Sequence, residues 1–267
     1  MMKIFGIIGN PVEHSLSPLM HNSAFKYLNI DATYFKFKVD FEKLKYAVLG
    51  ADSLGFCGLN VTVPFKEEAI NYTNPDKLAE QIGAINTIKF GKKIEGFNTD
   101  AIGAFMALKE ITEIKDRNIL ILGAGGAAKA IAYALSKYAR IFIANRTFKK
   151  GSDLAKKVGG ESIKLEEVFN IIKSVDILIN ATTVGLNEDK SLLYHEDLHK
   201  DLIVFDLVYS PVKTRLLKEA EMVGAKTLNG IKMLLYQGAA SFEIWTGIKA
   251  PISIMEDAIS RFFDPVY

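Results

Sequence analysis

The run Asn118-Ile119-Leu120-Ile121-Leu122-Gly123-Ala124-Gly125-Gly126-Ala127-Ala128 decides the fold. Five residues of a buried strand pass straight into G-x-G-x-x-A, and a helical pattern, Lys129–Tyr138, follows. In that setting Gly123 permits the tight turn, Gly125 lets backbone N–H groups approach a pyrophosphate, and Ala128 allows close packing of helix on strand. The pyrophosphate belongs on the helix N-terminus, where unpaired amides and the helix dipole favour an anion. About twenty residues further on, where an NAD site places an Asp or Glu on the ribose 2′-hydroxyl, the strand Ile141–Ala144 ends in Asn145-Arg146-Thr147, with Lys149 and Lys150 beyond. A carboxylate repels a 2′-phosphate, whereas an Arg fork binds it through charge-assisted hydrogen bonds, so the expected cofactor is NADP(H). The alternative is a solvated basic helix start, but cations in a first turn oppose the helix dipole and need a compensating reason.

Outward from this unit, short apolar runs alternate with helix-length amphipathic segments, the pattern of βα units around parallel sheets. Further strands are expected at Lys3–Ile8, Thr33–Val39, Gly58–Val63, Ile177–Asn180 and Ile203–Leu207, and a hairpin joins Ile85–Phe90 to Ile94–Phe97 across Gly91-Lys92-Lys93. A helix from Ala101 to about Ile111 precedes the glycine-loop unit. Two helical patterns, Ile231–Gly247 and Ile252–Phe263, follow the last strand. The 267 residues thus divide into two domains, 1–101 plus 237–267 and 102–236, each large enough for its own core.

With 49% hydrophobic and 24% charged residues, the chain is neither disordered nor fibrous. Its 33 basic and 31 acidic side chains leave a formal charge of +2, with no basic run to neutralise many phosphates, so no nucleic-acid partner is expected. The apolar stretch at the N-terminus is far shorter than a membrane span and is broken by Asn10-Pro11, which predicts a buried first strand and a cytoplasmic protein without a membrane partner. One cysteine, Cys57, excludes an internal disulfide and a thiolate metal cage. His195 and His199 are four apart, but among Glu196, Asp197, Lys200 and Asp201 they read as a solvated helix end, and no metal site is expected.

The first half carries the polar segment Gly9-Asn10-Pro11-Val12-Glu13-His14-Ser15-Leu16-Ser17-Pro18-Leu19-Met20-His21-Asn22. Ser17 as N-cap with Pro18 at N1 is a structural reading of part of it. Two hydroxyls beside a helix start also suit a carboxylate ligand, and position alone leaves both readings open. Asn60-Val61-Thr62-Val63-Pro64-Phe65-Lys66 ends a strand and begins a helix, which places Lys66 at the carboxyl edge where open α/β sheets bind ligands. Asn86-Thr87 and Asn98-Thr99-Asp100 reach comparable positions through the hairpin. A Lys and an Asp in one cleft form a simple proton-transfer pair for keto reduction, because hydride addition needs a proton at the developing alkoxide.

Taken together, these residues closely resemble the shikimate dehydrogenase family, over nearly the whole chain. The resemblance rests on the Gly9–Asn22 segment, Asn60–Lys66, Gly83-Ala84-Ile85-Asn86-Thr87, Asn98-Thr99-Asp100, Gly123–Ala128, Asn145-Arg146-Thr147, Asn180-Ala181-Thr182-Thr183 with Gly185, Asp206-Leu207-Val208-Tyr209-Ser210-Pro211 with Thr214 and Leu216, and Gln237-Gly238-Ala239 with Phe242 and Trp245-Thr246-Gly247. It implies two α/β domains, an N-terminal substrate domain with a mostly parallel sheet and a Rossmann-like NADP-binding domain, with a cleft between them. It implies that Ser15 and Ser17 bind the substrate carboxylate with Tyr209 nearby. Thr62, Lys66, Asn86, Asp100 and Gln237 then surround the ring hydroxyls, and Lys66 with Asp100 is the catalytic pair. On the cofactor side it implicates Gly123, Ala124, Gly125, Gly126, Ala127 and Ala128, then Asn145, Arg146, Thr147 and Lys150 around the 2′-phosphate, and Leu207 and Gly230 near the nicotinamide.

The implied reaction is reversible NADP-dependent reduction of 3-dehydroshikimate to shikimate, by a monomer or homodimer. Two rivals share the scaffold. A quinate/shikimate dehydrogenase of broader specificity is disfavoured by Ser17 and Arg146, and a non-catalytic NADP-responsive regulator has no chemical use for Lys66 and Asp100.

Overall fold

The computed structural model describes residues 2–263. The chain forms two compact units: the first is the chain up to Gly103 together with the segment from Leu234, and the second is Ala104–Met233.

The first unit runs β1 (Lys3–Gly9), α1 (Ser17–Tyr27), β2 (Ala32–Lys38), α2 (Leu44–Ser53), β3 (Gly58–Val61), β4 (Asn74–Pro75), α3 (Lys77–Ile82), β5 (Thr87–Lys89) and β6 (Glu95–Phe97), followed by α4 (Asp100–Lys109). Its sheet has the order β2-β1-β3-β5-β6-β4. Only β5 runs against the rest: β1 pairs in parallel with β2 and β3, β4 pairs in parallel with β6, and β5 is antiparallel to β3 and β6. Both faces of β1 are covered, which is why its sequence is apolar at nearly every position rather than alternating. Ile8 packs with Leu59, Val61 and Leu44, Val48 and Ala51 of α2. On the opposite face Phe5 lies 5.1 Å, ring to ring, from both Phe25 of α1 and Trp245. Truncating such an aromatic to Ala costs about 3–5 kcal/mol.

The second unit contains β7 (Asn118–Leu122), α5 (Gly126–Leu135), β8 (Arg140–Ala144), α6 (Phe148–Val158), β9 (Glu161–Ile163), α7 (Val168–Ile171), β10 (Ile177–Asn180), β11 (Ile203–Asp206), α8 (Arg215–Met222) and β12 (Lys226–Asn229). Its sheet is wholly parallel, in the order β12-β11-β10-β7-β8-β9. This is the doubly wound dinucleotide-binding arrangement, and the order reverses between β7 and β10. Leu120, Leu122, Leu178 and Val204 bury one face against Leu216, Leu217 and Ala220 of α8, while the intervening Ile119, Ile121, Ile177 and Ile179 are equally buried.

α9 (Ile231–Thr246) starts in the second unit and continues into the first, where α10 (Ile252–Phe263) packs on α1. Two glycines admit α9 to its place in the first unit. A Cβ on Gly238 would overlap the Met20 side chain of α1, and one on Gly58 would overlap the Trp245 indole. That indole donates from Nε1 to the Ile88 carbonyl at 2.9 Å, which pins the helix across the sheet. No helix among the described residues is long and apolar enough to cross a membrane.

Several local expectations are corrected. Ser17 is not an N-cap: α1 begins at Ser17 itself, and Leu16 is the cap residue, whose side chain makes no capping hydrogen bond. β3 stops at Val61, and Val63 to Glu68 form turns leading to a single 3-10 turn, Ala69–Tyr72, rather than a helix starting at Lys66; Pro64 has no N–H for a ladder. His195 and His199 lie in turns, not on a helix end. His195 Nδ1 is 2.7 Å from Glu219 Oε2 and His199 Nε2 is 3.2 Å from the Ile172 and Val175 carbonyls. Glu219 also accepts from the His195 N–H and from Arg215 Nε, so a buried carboxylate gathers an exposed imidazole and a partly exposed guanidinium. The helix expected over Lys129–Tyr138 starts earlier, directly at Gly126, and ends at Leu135.

Candidate active site and cofactor site

The carboxyl ends of β1 and β3 are laced together by backbone. Thr62 N–H donates to the Ile8 carbonyl at 2.9 Å and Asn10 N–H to the Val63 carbonyl at 3.0 Å. Gly9 has no room for a side chain, because the Thr62 methyl occupies the place a Cβ would take. The loop after β1 therefore carries Ser15 and Ser17 to the same sheet edge as Thr62 and Lys66. Ser15 is 5% and Ser17 2% exposed. Ser17 N–H donates to Ser15 Oγ at 3.3 Å and the two hydroxyls are 3.2 Å apart. With its capping role gone, Ser17 has Ser15 as its one side-chain hydrogen-bond neighbour among the described residues, and the pair forms a small buried donor set.

Lys66 reaches the next partner. Its carbonyl accepts from Ile85 N–H at 2.8 Å, which holds the turn against the start of β5. Its Nζ donates to Asp100 Oδ2 at 2.6 Å. The Lys66 side chain is 15% exposed and that of Asp100 4%. Asp100 opens α4, where a carboxylate meets the favourable end of the helix dipole. Its other oxygen, Oδ1, accepts from Asn86 Nδ2 at 3.0 Å. Asn86 Nδ2 also lies 3.1 Å from Oε1 of Gln237, near the middle of α9. Thr99 N–H donates to Asn86 Oδ1 at 2.7 Å and so fixes which way the Asn86 amide faces. Ser15, Ser17, Asn86, Asp100 and Gln237 are buried, Thr62 and Lys66 partly so. The result is a lysine amine paired with a carboxylate and flanked by hydroxyl and amide groups, an arrangement that can exchange a proton with a bound hydroxyl or carbonyl oxygen.

In the second unit the glycine loop has the conformation its sequence predicts. Gly123 has φ +114°, and a Cβ there would meet the Ala181 carbonyl oxygen at 2.9 Å. At Gly125, the cap residue of α5, a Cβ would meet nothing within 4 Å, and no side chain caps the helix. The first intrahelical donor is Lys129 N–H, which leaves the amides of Gly126, Ala127 and Ala128 for an anion. Ala124 and Ala128 are buried against the sheet. Asn145, Arg146 and Thr147 follow β8 directly; Arg146, Thr147 and Lys150 are exposed, and the first turn of α6 contains no acidic residue. Asn145 Nδ2 donates to the Thr147 carbonyl at 2.9 Å and shapes this loop. Leu207 and Gly230 are brought together, since a Cβ on Gly230 would overlap the Leu207 carbonyl. Tyr209 lies two residues beyond Leu207 and is partly exposed. These residues fit a dinucleotide with a 2′-phosphate: open backbone amides for the pyrophosphate and cations without a competing carboxylate for the ribose.

Three domain families match the chain: the shikimate dehydrogenase substrate binding domain over residues 7–88, shikimate / quinate 5-dehydrogenase over 106–208, and the shikimate 5′-dehydrogenase C-terminal domain over 230–259. The shikimate dehydrogenase (NADP(+)) of Methanococcoides burtonii is 50% identical over 268 residues, covering 99% of this chain and 100% of that one. The chain belongs to the shikimate dehydrogenase family. Among solved structures, a shikimate dehydrogenase in complex with NADP+ superposes with a TM-score of 0.93 at 46% identity, covering 98% of this chain and 96% of that one. The shikimate 5-dehydrogenase of Thermus thermophilus, in complex with NADP(H) and shikimate, has a TM-score of 0.89 at 37% identity, with coverage of 97% and 99%.

Several side chains of the site went unassigned in the sequence. Asn60, Thr87, Thr99 and Ser241 are all buried and bonded to one another or to Asn86. Ser241 follows Gln237 by four residues, the spacing that puts two residues on one helix face, and that was the available signal. In the second unit Asp206, at the end of β11 beside Leu207, is fully buried. Burial pushes its carboxyl up to about 6, against the pull of hydrogen bonds from Thr214 Oγ1 at 2.6 Å, the Val208 N–H and Asn180 Nδ2.

Proposed function

We propose that this protein catalyses the reversible NADP-dependent reduction of 3-dehydroshikimate to shikimate, in the route to chorismate and the aromatic amino acids. The observation that carries this reading is the 2.6 Å Lys66–Asp100 pair, joined through Asn86 to Gln237, in a chain of this family. The carboxylate of the substrate is received by the Ser15 and Ser17 hydroxyls, with Tyr209 assigned to the same group by family resemblance. Thr62, Asn86, Asp100 and Gln237 face the ring hydroxyls, a donor and acceptor set suited to a polyol. Bound NADP(H) supplies the hydride in reduction and accepts it in oxidation. It is held by Gly123–Ala128 at the pyrophosphate, by Asn145, Arg146, Thr147 and Lys150 at the 2′-phosphate, and by Leu207 and Gly230 at the nicotinamide.

Lys66 performs the proton chemistry. In reduction its Nζ gives a proton to the oxygen on C3 as negative charge develops there, and in oxidation it takes that proton back from the hydroxyl. Asp100 holds the ammonium in place and balances its charge, and the burial of both side chains strengthens that interaction. The protein works in the cytoplasm as a monomer or homodimer. Purified protein is mixed with shikimate or quinate and with NADP or NAD, and the reduced-nicotinamide absorbance is followed. Shikimate with NADP gives the highest kcat/KM; a higher value for quinate or NAD overturns the specificity assigned, and binding of NADP without oxidation of shikimate replaces the enzyme by a regulator.

A further inference from the structure

α9 brings a second polar side chain to the site, one turn beyond Gln237. The Ser241 hydroxyl is fully buried, 2.7 Å from Thr87 Oγ1 and 3.0 Å from Thr99 Oγ1, and those two are 3.3 Å apart. The three hydroxyls close a triangle between the helix, β5 and the start of α4. Asn60 Nδ2 donates into it, at 3.1 Å to Ser241 and 3.2 Å to Thr87, and Asn60 Oδ1 is held by the Tyr34 hydroxyl at 2.7 Å. Ser241 Oγ also lies 2.9 Å from the Gln237 carbonyl; its one proton placed there leaves its lone pairs for Asn60 and a threonine.

Thr99 transmits this arrangement. Its backbone N–H holds Asn86 Oδ1, its hydroxyl touches Asn86 again at 2.9 Å, and the next residue is Asp100. No proton passes this way to Lys66, because the Asn86 amide stands between the triangle and Asp100 and has no titrating proton near neutral pH. The triangle fixes positions only.

We propose that Ser241 is a positioning residue of the substrate site: by tying the Gln237 turn of α9 to Thr87 and Thr99, it sets the Asn86–Gln237 and Asn86–Asp100 contacts that receive the ring hydroxyls. This rests on the functional reading given above. Losing the hydroxyl removes no group that touches substrate, so the effect falls on how well the amides are placed.

The test compares wild type and Ser241→Ala by kcat, KM for shikimate, KM for NADP, the pH dependence of kcat/KM, and Tm. KM for shikimate rises about fivefold, the scale of one net hydrogen bond, while KM for NADP and the pH profile stay in place. A serine that only supports the fold lowers the active fraction, and so kcat, without moving KM. A shikimate KM within twofold of wild type overturns the proposal, and so does a displaced pH profile, which makes the cluster a proton relay. Thr87→Val keeps the side-chain shape and breaks the same triangle from the strand side, so it gives the same readout if Ser241→Ala folds poorly. Because either change opens the triangle, the double variant raises KM by less than the product of the single effects; a full product counts against the proposal. Wild-type protein that fails to oxidise shikimate overturns the functional reading and this inference with it, whereas active wild type with an unmoved KM in the variants overturns this inference alone.

Discussion

Lys66 is a single ammonium facing a carboxylate that solvent barely reaches, and the consequence of deleting it follows from that placement. Lys66→Ala removes the group to which we assign the proton step and leaves Ser15, Ser17, Asn86 and Gln237 intact. kcat falls by about 10²–10⁴-fold, the usual worth of positioned acid–base catalysis, while KM for shikimate changes by only a few-fold; steady-state kinetics measure both, and a variant that keeps kcat and loses only affinity removes Lys66 from the proton step. His21 presents the opposite case, a titratable group with no part in the chemistry. It is fully buried, stacked on Tyr34 at 4.6 Å and surrounded by Phe25, Phe242 and Trp245, and no protein group among the described residues bonds its ring nitrogens. Burial drives its pKa from 6.5 down to about 3. Below 6.5 the unfolded chain takes up a proton that the folded ring refuses, so stability is intact above pH 6.5 and drains away as pH falls towards 3. At pH 5 the loss is about 2 kcal/mol. His21→Phe fits the same aromatic layer and abolishes this loss; urea unfolding at pH 7 and pH 5 detects it, and equal losses in variant and wild type disprove it.

Elements were legible where a segment is buried on both sides, because continuous apolar runs then mark strands without competition from packing. β7, β10 and β11 are of this kind, whereas α10, which buries only Met255 and Ile259, was legible from its helical spacing of apolar residues. The misreadings share another cause. At Lys66 and at His195, local propensity favours a helix, while the chain uses these short polar stretches to form turns held by distant backbone and side-chain groups; at Ser17 the helix begins one residue earlier than a capping serine predicts. The loop between β8 and α6 illustrates what element-level reasoning does predict. Lys149 and Lys150 stand in the first turn of α6 with no acid to offset them, at a cost of about 0.3–1 kcal/mol each near a helix N-terminus. A bound phosphate turns that cost into attraction. Arg146→Ala, beside this turn, raises KM for NADP about 10–100-fold, as expected for one charge-assisted interaction worth about 1.5–3 kcal/mol, and leaves KM for NAD unchanged. Equal increases for the two cofactors place Arg146 away from the 2′-phosphate.

On the scale of the whole molecule, the site of the first unit draws on residues that no spacing rule connects. Asn86 and Gln237 are 151 positions apart and Thr87 and Ser241 are 154 apart. Family resemblance supplied Asn86 and Gln237; the helical spacing could place Ser241 beside Gln237 but not against Thr87 and Thr99, because a buried hydroxyl is recognised only by what surrounds it. The second unit is an uninterrupted stretch set between the two segments of the first. Within it, Lys232 at the exit is 3.3 Å from Glu110 near the entrance, so the stretch begins and ends at nearly the same place. That layout bears on synthesis. A ribosome that has reached Asn229 has made every strand of both sheets, together with Lys66 and Asp100, but not yet Gln237, Ser241 or Trp245. A nascent chain, or one cut short before Leu234, carries Lys66 and Asp100 without the part of α9 that supplies Gln237 and Ser241. By the functional reading proposed above, competence for catalysis therefore arrives only once α9 has been made.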